Sequence, residues 1–199
     1  MTSSYLQQIV QRLAEHEPLL LPPWNGAQAA VAFILREGRQ GAEALLIERA
    51  IRDGDPWSGN IGFPGGRIEP EDGSLKETAQ RETREEIGLD LSPWREVGRL
   101  SDISGAHLPV QVACFVYLIT GNPPLLFSDE VKEAFWVPLA DLADPQRRIT
   151  AKIRFCDRSV TTPALILPQH DKPLLWGMTY RMVSEFLEIA GTGEATATE

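Results

Sequence analysis

Three glutamates, Glu82, Glu85 and Glu86, stand within one short stretch, Ser74 to Ile87, whose composition is helical. At about 100° per residue they share an arc of about 100° on a helix. Like charges on adjacent turns repel, and a helix ordinarily separates them or pairs them with Lys or Arg at i,i+4. The pattern therefore predicts a cation beside them. Hard divalent ions such as Mg²⁺ or Mn²⁺ take oxygen ligands, keep several waters, and are commonly held jointly by carboxylates and substrate phosphates. The plain alternative is a solvated helix face, because Glu is a common helix former. The preceding Phe63-Pro64-Gly65-Gly66, which lets backbone approach a ligand closely, and the Gly88 stop give the carboxylates a more specific setting.

The elements that must position these groups follow from local signals. Ser74 and Glu77 form a capping box, and Leu75, Ala79, Thr83 and Ile87 make an apolar stripe beside the carboxylates that can dock on a sheet. Upstream, the apolar runs 28–35 and 44–48 flank a turn-forming EGRQG and predict a hairpin. Further strands are expected at 60–63, 96–103, 110–120 and 133–137, with a last helix at 178–189. The first eighteen residues read as a short amphipathic helix, Ser4 capping it and Tyr5, Ile9, Val10 and Leu13 on one face, before Pro22-Pro23. With no repeat and no low-complexity linker, this is one α/β (α+β) domain: 1–24 helix and linker, 25–190 the domain, 191–199 a tail expected to be disordered.

Composition narrows the function classes. The 199 residues carry 28 Asp+Glu against 19 Lys+Arg, a net charge of −9. That balance argues against broad contact with nucleic acid or anionic lipid, both of which need phosphate neutralisation by Lys and Arg. Two cysteines, Cys114 and Cys156, read as small core residues rather than a disulfide framework, so a reducing, cytoplasmic setting is expected. No apolar run approaches the roughly 20 residues of a membrane span, and the N-terminus lacks the basic and apolar regions of a secretory signal. Residues 66–90 hold eight acids and four bases, a local balance of −4. Bound divalent ions would reverse that sign and offer a polyanionic substrate a positive place to bind.

The stretch from Gly65 to Leu89 resembles the signature of the Nudix hydrolases. Arg81-Glu82, Glu85-Glu86 and Gly88-Leu89 match that signature in type and spacing. Asp72 stands where the family usually has Glu, with one extra residue before Arg81, as in the family's coenzyme A diphosphatase branch. Thr83 occupies an apolar slot, where its methyl can pack and its hydroxyl can bond back to the helix. Leu45-Leu46-Ile47-Glu48-Arg49-Ala50 leading to Gly62-Phe63-Pro64-Gly65-Gly66 is similar to a second motif of that branch, with Ile47 and Ala50 replacing Thr and Ser. Leu175-Trp176-Gly177-Met178-Thr179-Tyr180-Arg181 resembles the segment that opens its last helix. The resemblance implies the Nudix fold, a mixed β-sheet sandwiched between α-helices, and hydrolysis of a diphosphate bond with Mg²⁺ or Mn²⁺. It implies Glu82, Glu85, Glu86 and the Gly65 carbonyl as metal ligands, with one glutamate, Glu82 first, as alternative base. It also allows a homodimer, although no segment marks an interface.

Other residues carry weaker signals. Arg49, Arg52 and Arg67 flank the carboxylates in sequence and can grip phosphates or serve as surface charges. His107, in a loop between strands, is a further substrate-binding candidate, against a solvated histidine as the plain reading. Trp57 reads as a base-stacking ring or a loop anchor, and Trp176 as core. Glu130 and Glu133 are outside candidates for a further acidic ligand, and Arg81 is expected to pair with Asp72 or Glu85. Three function classes remain open: a metal-dependent diphosphatase, a non-catalytic ligand-binding regulator of the same fold, and a purely structural acidic helix. For the first, coenzyme A or an acyl-CoA is the foremost substrate and ADP-ribose or another nucleoside diphosphate conjugate the alternative.

Overall fold

The structure, a computed structural model, describes residues 3–22, 24–105, 109–155 and 158–192. His107, Cys156 and the tail from 193 onward lie outside the described residues.

The hairpin predicted from the apolar runs is present as β1 (Ala27–Gly38) and β2 (Gly41–Arg49). These join β3 (Ile61–Gly62), β4 (Gly65–Arg67), β5 (Arg95–Ser104), β6 (Val110–Leu118) and β7 (Val131–Pro138) in one seven-stranded sheet. Its path runs β3-β2-β1-β6-β5, with β4 added to β1 and β7 to β2. Only the central β1–β6 pairing is parallel; the other pairings of this sheet are antiparallel. A centre buried on both faces explains why β1 and β6 read as continuous apolar runs rather than as an alternation.

The two faces use alternate residues of the same strands. Ala30, Ala32 and Ile34 of β1 pack with Ala113, Phe115 and Tyr117 of β6 against α2 (Leu75–Ile87). Phe33 and Leu35 pack with Val112, Cys114 and Val116 against α1 (Ser4–Glu15) and α4 (Gly177–Ala190). The result is helix, sheet, helix, as expected.

The N-terminal helix begins one residue earlier than read from sequence. Ser3, not Ser4, caps it: Ser3 is extended and its Oγ accepts from the Leu6 amide, so Ser4 is already the first helical residue. Its buried stripe is Leu6, Ile9 and Leu13, with Tyr5 and Val10 only partly covered. The helix is part of the main core, and Arg12 Nη1 donates to the Ala190 carbonyl at 2.7 Å, tying it to the end of α4.

Besides the short β4 and a single 3-10 turn at Pro145–Arg147, two parts of the fold were not anticipated. One is the short helix α3 (Leu139–Ala143). The other is a separate three-stranded antiparallel sheet of β8 (Arg148–Phe155), β9 (Arg158–Leu165) and β10 (Leu175–Trp176), in the order β10-β9-β8. Pro163 within β9 argues against a central strand from sequence alone. It is tolerated because β10 pairs only with Ala164 and Leu165, leaving β9 an edge at that position. Lys172 Nζ reaches Glu48 at 3.1 Å, fastening the segment that leads into β10 onto the main sheet.

Candidate active site: a carboxylate cavity beneath a glycine loop

The helix α2 starts as its sequence predicts. Ser74 Oγ accepts from the Glu77 amide, and Glu77 reaches back to the Gly73 amide, one residue beyond the usual partner of a capping box. Gly88, at φ 70°, closes the helix with its amide on the Arg84 carbonyl. The Thr83 hydroxyl, fully buried, bonds back to the Ala79 carbonyl at 2.7 Å. Its place on the packed face is what turns Glu82 and Glu86 inward.

Above them passes β4, paired to β1 so that Gly65 lies opposite Val31. A Cβ on Gly65, whose φ is 150°, would sit 2.3 Å from the Ala30 carbonyl oxygen, so only glycine fits there. A Cβ on Gly66 would stand 2.4 Å from the Glu82 carboxylate carbon. The missing side chain is the room into which Glu82 reaches.

Glu86 is 2 % exposed. Its Oε2 accepts from the Gly65 amide at 2.9 Å, and its Oε1 from Arg49 Nη1 at 3.2 Å. Burial pushes its carboxyl up to about 7; Gly65 and Arg49 oppose the rise, while Glu82 and Glu130 add to it. Glu82 is raised as well, mainly by burial, with Arg81 opposing and Glu85 and Glu130 adding. Both glutamates and Glu130 line one cavity of about 430 Å³, together with Arg49, Asp55, Trp57, Gly65, Gly66 and Arg67. Glu130 is kept at its wall by Arg52, whose Nη1 lies 2.9 Å from Glu130 Oε1.

The structure thus brings together Glu82, Glu86, Gly65, Arg49 and Arg67, and adds Glu130. It does not place Glu85 among the cavity's lining: its side chain is 54 % exposed and pairs with Arg81 Nη1 at 2.9 Å. Gly65 faces Glu86 through its amide rather than its carbonyl. Glu133 is drawn away from the cavity by Lys172. No strong sequence signal marked Glu130; the only hint was an acid just before an apolar strand.

Arg81 makes both of the pairs considered for it. Its Nε and Nη2 each meet an Asp72 oxygen at 2.9 Å, and it also reaches Glu82, Glu85 and the Arg67 carbonyl. That guanidinium, with the Glu69 amide and the Thr78 hydroxyl, holds the Asp72 carboxyl well below the usual range. The residue standing in place of the family's Glu therefore ties the 67–72 loop to the helix. Cys114 is buried in the core, its thiol pushed upward by desolvation, and takes no part in the site.

Among the described residues no three His, Cys, Asp or Glu side chains are arranged to hold a metal as they stand. The donor set nevertheless suits one. Glu82, Glu86 and Glu130 are oxygen donors on one wall system, two of them raised by burial and by their mutual charge, and the lining described contains no thiolate or imidazole. Such a set fits Mg²⁺ or Mn²⁺ rather than a softer ion. Arg49 and Arg81 at present meet the oxygens such an ion would take.

A mixed sheet between helices, with an acidic helix face turned into a cavity under a glycine loop, is the arrangement that defines the class of this domain. The NUDIX domain model matches residues 26–155, and the chain belongs to the Nudix hydrolase family. The sequence is 34% identical over 167 residues to the mitochondrial coenzyme A diphosphatase NUDT8 of Homo sapiens, covering 80% of this chain and 67% of that protein. A Schizosaccharomyces pombe protein described as a probable nudix hydrolase, C6G9.05, is 29% identical over 94% of this chain, and an uncharacterized protein of the same yeast is 34% identical over 69%. The chain spans 65% and 49% of the lengths of those two relatives. Among solved structures, a MutT/nudix family protein from Enterococcus faecalis shares the fold, with a TM-score of 0.58, 21% identity, and coverage of 96% of this chain and 76% of that one. No helix among the described residues is long and apolar enough to cross a membrane.

Proposed function

We propose that this chain hydrolyses the diphosphate bond of coenzyme A or an acyl-CoA, releasing 3',5'-ADP and (acyl-)4'-phosphopantetheine. The observation that carries the reading is the convergence of Glu82, Glu86 and Glu130 on one cavity whose mouth also holds Arg49 and Arg67. The 34% identity to the human coenzyme A diphosphatase supports the substrate. Asp72 in its clamp fits the spacing of that branch.

Glu82 and Glu86, with Glu130 beside them, would hold Mg²⁺ or Mn²⁺, and Glu85 would join only if Arg81 released it. A divalent ion held there would supply a lowered pKa for the attacking water and neutralise charge on the phosphoryl oxygens. Glu82, in the space opened by Gly66, accepts the water's proton at a carboxylate oxygen as the new P–O bond forms and the bridging P–O bond breaks. Arg49, swung from Glu86, and Arg67, which makes no ion pair among the described residues, bind the non-bridging oxygens. The Arg81–Asp72 clamp keeps loop and helix in register during these steps. The domain limits 25–190, with α1 as an added buttress, complete the reading.

The test is incubation with Mg²⁺ or Mn²⁺ and a panel of CoA, acyl-CoA, ADP-ribose, dinucleoside polyphosphates and nucleoside triphosphates, products read by mass. Release of 3',5'-ADP and 4'-phosphopantetheine is expected. Untouched CoA beside rapid cleavage of ADP-ribose would overturn the substrate, and no cleavage of any of them would favour a ligand-binding regulator.

A further inference from the structure

A second cavity, of about 350 Å³, adjoins the carboxylate cavity. The two share Trp57, Asn60, Ile61, Met178 and Thr179, so one wall serves both. Their chemistry is opposite. The first is lined by Glu82, Glu86, Glu130, Asp55, Arg49 and Arg67, whereas among the described lining of the second Arg181 is the single charged residue. The second is walled instead by Phe155, Val160, Pro163, Trp176 and Tyr180. Most of that wall comes from β9, β10 and the start of α4, which lie beyond the stretch 26–155 matched by the family model. It is an addition made by this part of the chain.

Three of the polar groups at the second cavity, its one charged side chain among them, already have partners. Trp176 Nε1 donates to Asn60 Oδ1 at 3.1 Å, Thr179 Oγ1 to the Ile61 carbonyl at 3.3 Å, and Arg181 Nη1 to the Ser104 carbonyl at 3.1 Å. A nucleotide's terminal phosphate would lose its hydration with no facing cation except an arginine already engaged. The pantetheine arm carries no charge; its methylenes and gem-dimethyl group gain by leaving water, and the hydroxyls of Thr162 and Tyr180 stand in the lining for its two amides and its hydroxyl.

Building on the proposed diphosphatase activity, we infer that the second cavity is the subsite for the uncharged pantetheine arm on the far side of the scissile diphosphate, leaving the phosphorylated nucleotide to the Arg67 side of the first. In β9 the alternation puts Val160 and Thr162 toward the cavity and Thr161 toward solvent. A charge at 162 enters the subsite; the same charge at 161 does not.

The experiment compares wild type, Thr162→Arg and Thr161→Arg, first by thermal unfolding to establish that each folds, then by calorimetric titration with 4'-phosphopantetheine and with 3',5'-ADP, and by hydrolysis of CoA. For Thr162→Arg, affinity for 4'-phosphopantetheine is expected to fall about tenfold or more while 3',5'-ADP binding stays within about twofold; Thr161→Arg matches wild type in both. Loss of 3',5'-ADP affinity instead, or no loss of either, overturns the subsite. If wild type cleaves CoA and Thr162→Arg binds 4'-phosphopantetheine normally, only the subsite fails. If wild type binds 4'-phosphopantetheine in a manner sensitive to position 162 yet leaves CoA intact, the subsite stands and the activity fails. If wild type neither cleaves CoA nor binds 4'-phosphopantetheine, both fail.

Discussion

The two sides of α2 carry the same residue types to different ends. On one side Arg81 meets both oxygens of Asp72, and amide and hydroxyl donors fill the remaining lone pairs, so the carboxylate is satisfied and its pKa falls. On the other, Glu82 and Glu86 are desolvated together, face Glu130 across a cavity, and have their pKa values raised. A satisfied buried charge holds a fold together; an incompletely satisfied one is a place for a ligand. Within one helix turn the protein uses Arg81 to make the first and glycines to make room for the second.

The largest expected effect separates the two sides directly. Glu86→Gln should lower diphosphatase turnover by about a hundredfold or more, measured at saturating Mn²⁺, with thermal unfolding of the metal-free protein unchanged or shifted upward. Turnover near wild type in both Glu86→Gln and Glu82→Gln would remove the cavity from the chemistry. The converse holds across the helix: Asp72→Ala leaves Arg81 without its main partner and should cost about 2–3 kcal/mol of stability in urea unfolding, far more than a surface ion pair.

The two sides also respond oppositely to pH. Asp72, with its pKa depressed, contributes stability that is present above its ordinary value and lost as pH falls toward its folded value. Glu86 rises from an ordinary 4.5 to about 7, so between those values the folded state binds the extra proton and stability falls as pH rises. Metal-free protein should therefore lose on the order of 2 kcal/mol between pH 5 and 8 through this group, and Glu86→Gln should flatten the slope. The smallest effect concerns the cation now borrowed by the cavity. Arg49→Gln frees a Glu86 oxygen, so a given Mn²⁺ concentration should raise the melting temperature further than in wild type, while KM for the diphosphate rises severalfold. An unchanged Mn²⁺ response would mean that Arg49 and the ion do not compete.

Much of the fold was legible because its signals are local. The helix from Leu75, its Ser74 cap, its Gly88 stop, the β1–β2 hairpin and the strands near 96–104 and 110–118 all follow from spacing and turn residues. Where local signals competed, the reading slipped. Two adjacent serines offered two caps, and the one whose hydroxyl reaches the Leu6 amide was chosen by geometry. The β8–β9 hairpin escaped because charged residues alternate along β8 and a proline interrupts β9, and its pairing rests on the shape of a neighbouring edge.

By itself the sequence determined that three glutamates share one helical arc, that two glycines precede them, and that Arg81 has Asp72 or Glu85 within reach. Only the tertiary structure decided which glutamates turn into a cavity, that Glu130 joins them from a distant loop while Glu85 faces solvent, and that β9 and α4 build an apolar chamber beside them. The physical reason is that helical spacing sets direction relative to the helix axis alone. Burial, shared charge and cavity walls depend on which distant segments come to lie against that helix.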